Sequence, residues 1–155
     1  MANVRGWTMN KEEKALEVRN MAGNYFKEGF NCTESIFMTF REELSPDMNP
    51  DTVKLFTGFG SGLGEAGCLC GALTGSIVAI NMLAGRTGLS ESRDPAYNLA
   101  QEFHNRFEEK FGATCCRVLN QHPFETREHL TTCLKITGNT AKLLMEFLQE
   151  KNLVE

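Results

Sequence analysis

A basic surplus is missing from this chain. Sixteen Lys and Arg face twenty Asp and Glu, for a net charge of -4 and a pI near 5.5. Bulk binding to nucleic acid or to an anionic membrane wants a basic face, so the charge argues against both partners and leaves room only for a local patch. Long apolar runs are missing too. The longest, Ala72 to Ala84, is shorter than the ~20 residues of a spanning helix, and Thr74, Ser76 and Asn81 interrupt it. The start MANVRGWTMNKEEK holds no apolar stretch of the kind that directs secretion, so a cytoplasmic location is expected. No segment alternates polar and apolar residues with period two over a strand's length. Internal repeats, low-complexity tracts and linkers are absent as well. A Gly-Lys-Ser/Thr phosphate loop, a CxxC pair and a CxxCH haem site do not occur, which removes a Walker site, a thioredoxin-type pair and covalent haem.

What remains is a chain of 155 residues, 41% apolar and 23% charged. That length suits one domain with an adequate core. The pattern reads as helices between stop signals. Asn10 with Glu13, and Asn31 with Glu34, are capping pairs at helix starts. Ala15, Val18 and Ala22 then recur at helical spacing, as do Ile36, Phe37 and Phe40. Pro50 opens a short helix to about Thr57. Asp94-Pro95 opens another, whose stripe runs Ala96, Ala100, Phe103, Phe107, Phe111. Thr114 is expected to cap a short helix with Cys115 and Cys116. A final helix is predicted from about Thr132 to Lys151, kinked or split at Gly138. The fold class is therefore all-α: a single-domain helical bundle over residues 1–155.

Seven of the fourteen glycines lie between Gly58 and Gly75. The stretch to Gly67 is expected to be an open, tightly turning loop. It leads into a nearly all-apolar central helix from about Cys70 to Ala84. On that helix Gly71, Gly75 and Ala79 share one small face that lets another backbone come close. Gly62 to Gly67 match GxGxxG, yet no strand precedes them and no βαβ pattern surrounds them. A dinucleotide site is not the favoured reading.

Six cysteines are left to explain. Cys32, Cys68, Cys70, Cys115, Cys116 and Cys133 all fall near predicted helix starts. Unpaired N–H groups and the helix dipole lower a thiol's pKa there. In a reducing compartment structural disulfides are not expected, and inert packed thiols are the plain alternative. Any site must be assembled from distant parts of the chain. His104, His122 and His129 are read as ordinary histidines, with His129 placed to face Cys133 if one helix carries both. Glu65 reads as a solvated loop carboxylate and Arg117 as a surface arginine.

Cys32, the block Cys70-Gly71-Ala72-Leu73-Thr74-Gly75, Cys116-Arg117-Val118-Leu119 and Cys133 together resemble the C_GCAxxG_C_C family of redox-active proteins, over roughly residues 14–150. The resemblance implies cysteine-based redox chemistry at Cys32, Cys70, Cys116 and Cys133. Cys68 or Cys115 would be able to replace a neighbour. Cys70 would be the central, approachable thiol and Cys32 or Cys116 would resolve. Gly67, Gly71 and Cys68 would border a cofactor. The module is also similar to the C-terminal part of split-Soret cytochromes, which implies an alternative: the same four cysteines, Cys32, Cys70, Cys116 and Cys133, ligating a [2Fe–2S] cluster or another metal. Partners implied are a redox protein or a small thiol. A non-catalytic helical interaction module is the remaining alternative. Several apolar faces need cover, so a homodimer is expected.

Overall fold

The computed structural model describes residues 9–155. The first eight residues, on which the expectation of no secretory signal partly rests, lie outside that range. The described chain is all-α, in the order α1 (Lys11–Glu28), α2 (Cys32–Leu44), two short 3₁₀ turns (Pro50–Leu55 and Thr57–Phe59), α3 (Gly60–Leu63), α4 (Gly71–Ala84), α5 (Asp94–Phe111), α6 (Cys116–Leu119) and α7 (Arg127–Glu150). Both capping pairs form. Asn10 Oδ1 accepts from Glu13 N–H at 2.8 Å, and Asn31 Oδ1 accepts from Glu34 N–H at 2.9 Å. Each satisfies a donor that the first helical turn leaves without a partner. Gly29 ends α1 with φ 118° and Gly112 ends α5 with φ 87°, a backbone state that favours glycine.

Helices α1 and α7 pack along each other, and α2 packs along α4. One core joins them: Val18, Ile36, Phe40, Leu73, Phe103, Leu144 and their neighbours are buried together. Phe103 and Phe147 meet with ring centroids 5.4 Å apart, which fastens α5 to α7. Burying each such side chain stabilises the fold by about 1.5–3 kcal/mol. The small face of α4 is used inside the chain. A Cβ on Gly75 would lie 2.9 Å from the Thr33 carbonyl and 3.0 Å from Ile36 Cβ, so α2 occupies the space. That cover removes one argument for a second copy.

Three expectations are corrected. Helix α7 starts at Arg127 with Thr126 as its cap, five residues before Thr132, so Cys133 stands in the second turn and not at the helix start. Gly138 neither kinks nor splits α7, because its missing side chain admits α1: a Cβ there would sit 3.3 Å from Arg19 Cγ. Thr114 caps nothing; Cys115 occupies the cap position of α6 without a side-chain bond. Among the described residues no helix is long and apolar enough to cross a membrane.

Candidate functional site

Four elements bring four cysteines together. Cys32 is the first residue of α2, Cys70 the cap of α4, Cys116 the first residue of α6, and Cys133 lies in α7. Their side chains line one cavity of about 20 Å³, closed by Ser61, Leu119, Asn120 and Thr137. All six thiols are free.

A short antiparallel bridge between Leu69 and Cys115 draws two of these starts together. Cys70 N–H donates to the Thr114 carbonyl at 2.8 Å, and Arg117 N–H donates to the Gly67 carbonyl at 3.0 Å. The bridge lets Cys70 and Cys116 face one cavity across 45 residues of chain, a pairing that no local spacing encodes.

The glycine segment is tighter than an open loop. Ser61, Gly62, Leu63, Gly64 and Glu65 all have positive φ, between 55° and 73°. Gly64 N–H closes this left-handed turn on the Gly60 carbonyl at 2.8 Å. Left-handed backbone costs an L-residue about 1–2 kcal/mol, and Ser61, Leu63 and Glu65 all bear it. The turn is held by its surroundings. Arg117 Nη2 donates to the Ala66 carbonyl at 2.6 Å, and Cys68 N–H donates to the Gly62 carbonyl at 2.9 Å. Arg117 is thus a clamp on the loop rather than a free surface arginine.

The four cavity thiols are desolvated, and for them the expectation of lowered pKa values is overturned. Burial pushes Cys70 up to about 12, with the charge of Cys32 adding to it, against opposing hydrogen bonds from the backbone of Ala72 and Leu73. Burial pushes Cys133 up to about 11, against the opposing bond from Asn120. Cys32 and Cys116 also shift upward, mainly through burial. Backbone N–H donors at helix starts do reach the sulfurs of Cys32 and Cys70, but loss of water outweighs them.

Access also differs from expectation. Cys70 and Cys116 are 7% and 6% exposed, so Cys70 is not the approachable thiol. An open groove of about 870 Å³ instead reaches Cys32 and Cys133, walled by Phe30, Leu130, Leu134, Lys27 and Arg127. The space beside the residues expected to border a cofactor is filled by protein. A Cβ on Gly71 would collide with Cys32 Sγ, and one on Gly67 would lie 2.9 Å from Arg117 Nε. Cys68 is exposed and does not line the four-cysteine cavity.

Two further residues reach Cys133. Asn120 Nδ2 donates to Cys133 Sγ at 3.2 Å and to the His129 carbonyl at 2.9 Å. His129 Nε2 lies 3.8 Å from Cys133 Sγ. The four-residue spacing of His129 and Cys133 hinted at this pair. Asn120 carried no signal in the sequence. His104 lies beside Asn105 on α5, and neither His104 nor His122 lines the groove or the cavity.

A protein of Archaeoglobus fulgidus, described only as uncharacterized, is 25% identical over 148 residues, covering 90% of this chain and 98% of its own length. No solved structure matches the chain. Residues 30–147 match the family model described as "Putative redox-active protein (C_GCAxxG_C_C)". That span contains all four cavity cysteines, and the chain belongs to the C_GCAxxG_C_C family.

Proposed function

We propose that the protein is a thiol–disulfide redox protein whose groove admits a disulfide substrate to Cys133 and Cys32. One observation carries the reading: of the four cysteines that line the inner cavity, Cys32 and Cys133 also line the open groove. Cys133 loses its proton and its sulfur attacks one sulfur of the substrate disulfide. A mixed disulfide forms and one substrate thiol leaves. Cys32 then attacks Cys133 and releases the second thiol. The protein ends oxidised by two electrons and the substrate reduced by two. A thiol reductant, small or protein-borne, restores the pair. Cys70 and Cys116 behind them offer a second site to which the disulfide passes.

The alternative, a [2Fe–2S] centre on the same four cysteines, draws on the donors that reach Cys32 and Cys70 from the backbone of Ser61, Ala72 and Leu73. Such donors would stabilise a cluster's negative charge. Against it, among the described residues no group of three or more His, Cys, Asp or Glu stands where it could hold a metal ion. The cavity of about 20 Å³ is room for about one water. The residues as placed do not fit the group.

Anaerobic purification followed by iron and acid-labile sulfide analysis tests the choice. Colourless, metal-free protein that loses two titratable thiols on reaction with a model disulfide is expected. Brown protein with stoichiometric iron and sulfide would overturn the thiol reading.

A further inference from the structure

His129 is only 3% exposed, and among the described residues Cys133 Sγ is the one hydrogen-bond partner found for its ring, 3.8 Å from Nε2 and 4.0 Å from Nδ1. A buried imidazole rarely goes without a better partner. Its surroundings hold it in place. Thr126 Oγ1 accepts from the His129 N–H at 3.2 Å, and the Phe124 ring meets it edge-on at 4.9 Å. Asn120 spans one turn of α7, bonding the His129 carbonyl and Cys133 Sγ through the same Nδ2. The sulfur is thus within reach of the imidazole nitrogens and of an amide that donates to it. The groove reaches both His129 and Cys133.

We infer that His129 is the proton acceptor for Cys133 and that Asn120 holds the resulting thiolate. This rests on the thiol reading above and adds the groups that run its first step. Cys133 S–H gives its proton to His129. The sulfur bonds to one substrate sulfur while the substrate S–S bond breaks, and the departing thiolate takes the proton back from His129. Atoms, electrons and charge balance with no further reactant. Burial favours the neutral imidazole the step needs; nearby His122 acts in the same direction and Glu65 against it.

Alkylation by iodoacetamide at neutral pH, resolved site by site by peptide mass spectrometry, tests the inference. His129→Ala should slow modification of Cys133 at least about tenfold, with Cys32 in the same groove as internal control. Added imidazole should restore the rate, which a merely structural role for His129 would not allow. His129→Gln covers the case in which the alanine variant misfolds, and should be slow as well. Asn120→Ala should slow Cys133 and not be rescued by imidazole. Unchanged Cys133 modification in a folded His129 variant, or slowing that imidazole does not relieve, would overturn the inference. Fast, His129-dependent alkylation without any reduction of a disulfide would instead sink the thiol reading and leave His129 as the base.

Discussion

Cys70 shows at a single residue what governs this site. Its sulfur sits at a helix start with N–H groups aimed at it, yet its pKa rises to about 12. Position on a helix supplies a partial charge, whereas burial removes the whole hydration of a thiolate, and the larger effect wins. A stability consequence follows with a definite sign. The folded values of Cys70 and Cys133 lie above the ordinary 9.0, so the unfolded chain gives up these protons first. Their contribution is complete below pH 9 and is lost as pH climbs through 11 and 12. Thermal melts should therefore lose more than ~5 °C between pH 8 and 11, and Cys70→Ala should flatten that decline. His129 works at the other end. Its folded pKa lies below the ordinary 6.5, so protonation destabilises the fold as pH falls beneath 6.5, and His129→Gln should lessen the acid-side loss.

Among the elements, the left-handed turn before α4 is the most demanding. A Cβ on Gly62 would lie 2.5 Å from Cys68 N and 2.7 Å from Cys116 Cβ, at φ +66°. Gly62→Ala should cost more than ~2 kcal/mol in a denaturant melt, because neither the backbone nor the cysteine has room to yield. Leu63→Gly tests the turn in the opposite sense. Leu63 is exposed with φ 73°, so relief of ~1–2 kcal/mol of strain outweighs the ~0.5–1 kcal/mol entropy loss of a new glycine. A small gain in stability is expected, and a loss would show that the side chain packs where the turn needs it. Caps are simpler. Thr126 Oγ1 accepts from His129 N–H at 3.2 Å, and Thr126→Ala should cost about 1 kcal/mol. It should also loosen the turn that carries His129, seen as faster amide exchange at the start of α7.

At the scale of the whole molecule, an oxidised site would join parts of the chain that are far apart in sequence. A Cys32–Cys133 disulfide would enclose a loop of about 100 residues, and the chain-entropy model gives ~4–5 kcal/mol for such a closure. The oxidised protein should melt well above the reduced one; a lower midpoint would mean that the bond strains the cavity. Most of the helical fold was legible beforehand. Capping pairs, glycine stops and the Asp94-Pro95 start all state short-range preferences, and the structure follows them. At Thr132 an earlier local cap, Thr126, sets the start of α7, whereas at Gly138 packing against α1 overrides the local signal. The left-handed turn was legible only as glycine density, since Ser61, Leu63 and Glu65 announce nothing of their strain.

By themselves the residues determined that this chain forms helices, where most of them begin and end, and which family its cysteines resemble. Those are matters of spacing and of neighbours within four residues. Tertiary structure decided which thiols meet, which two reach the groove, and which way their pKa values move. The Leu69–Cys115 bridge, the crossing of α2 over Gly71 and Gly75, and the reach of Asn120 to Cys133 join segments that the sequence keeps apart. Desolvation is the reason these matter so much: it depends on everything that surrounds an atom, and no stretch of chain contains its own surroundings.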